Sequence, residues 1–217
     1  MVFERESHGM PSTIVHVAIG GIVAVALLGP AFDRRSVLVV LAAAALPDVD
    51  TVIGFWVHGG HRAVLHNLVL PAVALGALTL DRRRPASWLR RRYGDRGVRV
   101  AFVALAAFVF GGVLPDLAVN GVNAFYPLHD RFYTVNGELL LSNQRGLVQT
   151  FVDLSPDGGT VGGTTADTHY STGVDPTAGA EPSNVERVFP VVTSGFRLLV
   201  VVLSGFLLAA RFRERQR

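Results

Sequence analysis

The stretch from Leu46 to Asn67, LPDVDTVIGFWVHGGHRAVLHN, sets two carboxylates, Asp48 and Asp50, and two imidazoles, His61 and His66, between apolar segments. An acid at the centre of a membrane helix costs roughly 2.5 to 3.5 kcal/mol, so residues of this kind need compensation and mark functional sites by default. A metal ion is an economical compensator. The chain has no cysteine, which excludes disulfides, Fe–S clusters and thiolate zinc sites, so any metal must be held by imidazole and carboxylate.

Hydrophobic residues make up 50% of the 217, which places the chain in the membrane class. The expected fold is an all-α integral membrane protein of about five transmembrane helices with a broken second span. Residues 1–11 are a tail whose Glu4, Arg5 and Glu6 lack the basic character of a cleavable signal peptide; Met10 is an alternative start. The four-span domain covers 12–120, with spans at 12–32, from Ser36 through the PDVD break to Val57, at about Arg62–Leu80 and at about Val98–Asn120. A last span covers 188–210, and 211–217 form a basic tail. The long loop 121–187 is predominantly acidic. In it Phe132–Leu141, centred on Asn136-Gly137, reads as a β-hairpin, and Ser155–Ser183 reads as a mobile segment without chemistry.

All basic residues are arginine. They gather at Arg34-Arg35, at Arg82–Arg99 and at Arg211–Arg217, which alternate spans place on one side, the cytoplasm. The N-terminus and the 121–187 loop then lie outside and the C-terminus inside, in a cell membrane. The positive net charge is thereby explained by topology, so nucleic acid is not an expected partner and membrane lipid is. Counted from the cytoplasmic ends at about 1.5 Å per residue, His16, Asp48, Asp50, His66, Asp116 and Arg197 all fall roughly 20 to 27 Å up. Several segments thus deliver ionisable groups to one outer layer.

Each residue also has a plainer reading: a helix-ending turn for Asp48 and Asp50, an interfacial residue for His16 and His61, a hydrogen-bonded core histidine for His66, a helix-end acid paired with Arg62 or Arg131 for Asp116. Asp48 and Asp50 share a side only if the backbone after Pro47 is extended. His61 and His66 stand about 140° apart on a helix, so both cannot ligate from one helical face.

The set formed by His16 in the first span, LPDVD, HRAVLH, and an Asp-bearing span before GVNAFYP resembles the YdjM-like family of membrane-bound, metal-dependent hydrolases over about residues 12–128. The resemblance falls on His16, Asp48, Asp50, His61, Arg62, His66 and Asp116. It departs at Gly112, where the family has a histidine before the aspartate. The expected roles are His16, Asp48, His66 and Asp116 as metal ligands, Asp50 as general base or ligand to a second metal, and His61 as a catalytic group. Arg62 and Arg197 are expected to bind substrate, since guanidinium matches phosphate or carboxylate. Zinc is the default ion, with manganese or iron as alternatives, and the substrate a lipid or phosphoester. The competing class is a non-catalytic scaffold or a cation-binding or transport protein.

Overall fold

The computed structural model describes residues 3–5, 12–57, 59–151, 162–177 and 179–217. It is mostly helical. Helix α1 (Thr13–Leu27) is followed by α2 (Arg34–Ala45), whose N-terminus is capped by Asp33 Oδ1 accepting from Ser36 N at 2.8 Å. A 3₁₀ turn, Leu46–Val49, carries α2 into the short α3 (Asp50–Ile53). The expected break at PDVD is therefore a tightened but continuous rod over Arg34–Ile53. Pro47 sits at the start of its turn, where a missing N–H and a fixed φ cost little.

The third helix starts later than its apolar run suggests. Residues 59–68 are turns and bends, and α4 spans Val69–Arg83. Asn67 sets that start: its amide donates to the carbonyls of Ala63 and Val64 at 3.0 and 2.7 Å, while its Oδ1 accepts from Leu70 N at 2.9 Å. Helix α5 (Trp88–Ala107) begins where Asp81 accepts the N–H groups of Trp88 and Leu89. It passes through a π-helical turn, Phe108–Val113, into α6 (Leu114–Val119). Helix α7 (Gly195–Glu214) also starts later than expected, at Ser194, whose hydroxyl accepts from Arg197 N.

Among the described residues, three helices are long and apolar enough to cross a membrane: Arg34–Ile53, Trp88–Val119 and Gly195–Glu214; Thr13–Leu27 is apolar but shorter. The core between α1, α2 and α5 is built from Ala24, Leu28, Phe32, Val40, Ala44, Val103 and Ala107. Small residues let these helices approach closely. A Cβ on Gly20 would fall 2.6 Å from Ala44 Cβ, and one on Gly21 would collide with Ser204 of α7.

The arginine-rich ends meet in space. Arg96 pairs with Asp33, and Arg215 donates to the carbonyls of Phe32 and Pro30.

Strands β1 (Phe3–Arg5) and β4 (Thr168–Tyr170) pair in parallel, and β2 (Leu139–Ser142) and β3 (Gly146–Gln149) form an antiparallel hairpin. The hairpin lies C-terminal to its expected place. Its turn is Asn143-Gln144-Arg145, with Ser142 Oγ accepting from Gln144 N and Arg145 N. Phe132 and Tyr133 are unavailable as a hairpin arm because they pair with Gly162-Gly163 and with Val122.

Candidate metal centre

Four backbone segments converge at the end of the bundle opposite the arginines. His16 comes from the first turn of α1, Asp48 from the 3₁₀ turn, Asp50 from the start of α3 and Asp116 from α6. His61, Arg62 and His66 come from the irregular stretch before α4. Burial is nearly complete: His16, Asp50 and His66 are 0% exposed, Arg62 1% and Asp116 2%. Asp48 and His61 are more open, their side chains 23% and 13% exposed.

His16, Asp48 and Asp116 each offer one ligand atom, all within 4.8 Å of one another, and form a group that could hold a metal ion. His66 completes their surroundings: its Nε2 lies 2.9 Å from Asp116 Oδ2 and 3.5 Å from Asp48 Oδ1. His16 Nδ1 is 3.2 Å from Asp48 Oδ2, and its Nε2 is 3.6 Å from Asp116 Oδ1. Close as they are, His16 Nδ1 and Nε2, His66 Nε2 and Asp48 Oδ2 are buried and make no hydrogen bond. Buried polar atoms in native proteins are nearly always hydrogen-bonded, so several orphans in one spot require an explanation. Ligands held about 2.0 to 2.2 Å from a tetrahedral ion lie about 3.4 Å apart. The set of one atom each from His16, Asp48 and Asp116, within 4.8 Å of one another, is of that order.

The other ring nitrogen of His66 is held from behind. Nδ1 lies 2.9 Å from Asp50 Oδ2, which also accepts from Arg62 N at 3.0 Å and Leu65 N at 3.3 Å. A carboxylate behind a histidine fixes its tautomer and orientation, as outer partners of metal-ligating histidines commonly do. Asp48 and Asp50 thus grip opposite ring edges of His66 from a helical turn, without the extended backbone that sharing a side would need.

Arg62 adopts φ +63°, a left-handed conformation that strains a non-glycine residue and occurs disproportionately at functional sites. Its guanidinium is committed within the protein. Nη2 donates to Asp116 Oδ1 at 2.9 Å and Nη1 to the Gly121 carbonyl at 3.2 Å, while the Tyr170 ring lies 4.9 Å from Cζ. His61 stands at the rim, Nε2 4.0 Å from Asp50 Oδ1 and Nδ1 3.4 Å from the Tyr170 carbonyl. Arg197 is half-buried on α7, where its Nη1 bonds Thr193.

A cavity of about 280 Å³ opens beside the cluster. Asp48, Thr51, His61, Arg62 and Asp116 line its polar end, and Val174, Val188 and Phe189 its apolar end; Arg197 is not in the lining. Part of the cavity wall comes from the Gly/Thr-rich segment that composition marks as mobile. Asp130 accepts Thr165 N at 3.0 Å, Thr165 Oγ1 at 2.7 Å and Asn123 Nδ2 at 2.6 Å, fastening residues 162–170 over the site. Tyr170, 2% exposed, packs on Phe132 and Arg62 and donates to the Asn120 carbonyl at 3.0 Å. The described part of that segment is therefore structural, and Tyr170 is a site residue that sequence reasoning missed. Its signal was slight: an aromatic ring in a stretch otherwise poor in large side chains. Residues 155–161, in the same expected segment, lie outside the described residues.

Gly112 has a structural reason. It is buried in the π-turn, and a Cβ there would fall 2.5 Å from Pro47 Cγ and 2.9 Å from the Ala44 carbonyl. The side-chain-free surface lets the π-turn press against the PDVD turn, just before the helix that carries Asp116.

No family model, no curated protein and no solved structure matches this chain.

Proposed function

We propose that the protein is a membrane-bound, metal-dependent hydrolase of the kind its sequence motifs resemble, with His16, Asp48, His66 and Asp116 as ligands. The observation that carries this reading is the convergence of buried nitrogen and oxygen atoms from these residues at 2.9 to 3.6 Å without hydrogen-bond geometry. Imidazole with carboxylate suits zinc first, manganese or iron second. Such an ion, when bound, supplies Lewis acidity and makes water a stronger nucleophile near neutral pH.

The protein's own groups divide the remaining work. Asp50 orients His66 through Oδ2, which also accepts from Arg62 N and Leu65 N, and because it is fully buried and absent from the cavity lining it is a positioning residue in this scheme rather than a general base. Arg62 likewise positions Asp116. His61, at the cavity rim, exchanges a proton with substrate. Polar and apolar ends of the cavity suit an amphiphilic ester or phosphoester, a lipid. In this reading α1 and α4 also cross the bilayer, giving five spans, with the irregular stretch before α4 tolerated at depth because it is buried in protein. The arginine-rich end faces the cytoplasm and the metal centre lies near the outer face.

A scaffold reading has its own support. Arg62 donates to Asp116 and to the Gly121 carbonyl, and Asp50 Oδ2 accepts two backbone N–H groups, so part of the cluster is satisfied without metal. Elemental analysis of protein purified in mild detergent without chelator or affinity metal separates the two. Stoichiometric zinc, manganese or iron, lost in a folded His66→Ala, Asp48→Ala variant, is the expected result. A metal-free protein that stays so after reconstitution would leave the scaffold.

A further inference from the structure

At the arginine-rich end, residues of α2 and α5 line a groove of about 770 Å³. Val39, Val100 and Ala101 line its apolar part, and Arg34, Arg35 and Arg96 its mouth. The three cations differ. Arg96 is held by Asp33 and by Ser36 Oγ, the latter at 3.0 Å. Arg34 and Arg35 are exposed and, among the described residues, make no side-chain hydrogen bond or ion pair. They occupy the first turn of α2, where the helix dipole adds positive potential.

A second observation places this groove at headgroup depth. Gly94, at φ +68°, kinks α5, and the turn before the kink displays Trp88 and Tyr93, 60% and 54% exposed, with rings 6.1 Å apart. Arg92 lies over the Tyr93 ring, 4.9 Å from its centroid. Exposed tryptophan and tyrosine beside arginines are the pattern of a membrane interface. Tyr93 also lines the groove.

We propose that this groove is a binding site for one acidic phospholipid of the inner leaflet. Its phosphate sits between Arg34 and Arg35, with Arg96 behind, and an acyl chain runs along Val39, Val100 and Ala101. Anionic headgroups are recognised by basic pockets of this kind between transmembrane helices. The Asp33 carboxylate, already neutralised by Arg96, leaves the outer pair of cations unopposed. The site is independent of the metal centre and of any hydrolase activity.

The test is native mass spectrometry of the full chain released from nanodiscs of phosphatidylcholine with a minor fraction of phosphatidylglycerol. Retention of phosphatidylglycerol in preference to phosphatidylcholine is expected. Retention should fall by about tenfold, the loss of a charge-assisted contact or two, in the Arg34→Ala, Arg35→Ala variant. The charge-matched Arg83→Ala, Arg84→Ala variant should retain lipid as the parent does. Ala101→Trp, which leaves every arginine in place, should also release it by filling the apolar floor. Equal losses from both arginine pairs would reduce the effect to general surface charge and overturn the proposal. Displacement by glycerol phosphate as effective as by lipid would assign the arginines to a soluble phosphate and overturn it too.

Discussion

Asp50 Oδ2 and His66 Nδ1 face each other at 2.9 Å, and neither side chain is exposed to solvent. The carboxylate lies behind the ring while Nε2 points toward Asp48 and Asp116, so Asp50 acts on the centre through His66. Replacing Asp50 with Ala should lower divalent-metal affinity by about 10 to 100-fold, the usual cost of losing such a partner. Competition titration against a chromophoric chelator measures it. Unchanged affinity in a folded variant would remove Asp50 from the centre's support.

Arg62 and Asp116 form a buried ion pair at 2.9 Å. Removing one member leaves the other charge uncompensated, at a cost of about 3 to 5 kcal/mol. Arg62→Ala should therefore unfold far more readily than the parent in chelator, and added zinc should recover part of the difference by neutralising Asp116. Thermal melts with and without metal test this; a melt shift indifferent to metal would argue that Asp116 is not a ligand.

Gly112 is a packing position rather than a lost ligand. In Gly112→His the new Cβ would press on Pro47 and the Ala44 carbonyl, an overpacking that typically costs about 1 to 3 kcal/mol. The histidine should lower the melting temperature and add no metal affinity. A rise in both would show that the π-turn and the PDVD turn can separate to admit a ligand.

Tyr170 holds the 162–170 segment on Arg62. Tyr170→Ala removes a ring over a guanidinium, worth about 0.5 to 2 kcal/mol, together with its hydroxyl bond. Hydrogen exchange should rise at residues 168–170 and at Arg62, with the helices α2 and α5 unaffected. Protection unchanged at Arg62 would mean that the segment does not brace the centre.

Asp130 couples the same segment to pH. Burial alone would raise its pKa, but bonds from Thr165 and Asn123 outweigh burial and hold its carboxyl below the usual carboxylate range. A group depressed in the folded state adds stability above its unfolded value, about 3.9, and that contribution disappears as pH falls through the folded one. Exchange at Thr165 should accelerate, beyond the intrinsic pH trend, as pH drops below about 4. In Asp130→Asn it should be fast already and follow only that trend.

Much of the site was legible before folding because depth along a helix is a local quantity. A fixed rise per residue groups His16, Asp48 and Asp116, which do lie on helical turns, and the cost of burying acids in apolar segments singles out the aspartates; His66 joins them from a stretch that is not helical. The sorting of arginine shows in composition, and the structure brings Asp33 to Arg96 and Phe32 to Arg215 at one end. What rotation and long-range contact decide was not legible. Asp48 and Asp50 read as sharing a side only on an extended chain, yet a 3₁₀ turn aims them at opposite edges of one ring because His66 arrives between them. Gly112 reads as a gap in a motif until Pro47 and the Ala44 carbonyl are found against it. The hairpin moved because Phe132 and Tyr133 found partners remote in sequence, and Tyr170 joined the site because Asp130 fastened a polar segment that composition alone marks as loose. Periodicity and hydropathy determine which residues reach the layer; only the packing of the helices and the fastened loop decides which atoms meet there, since those contacts join residues far apart in the chain.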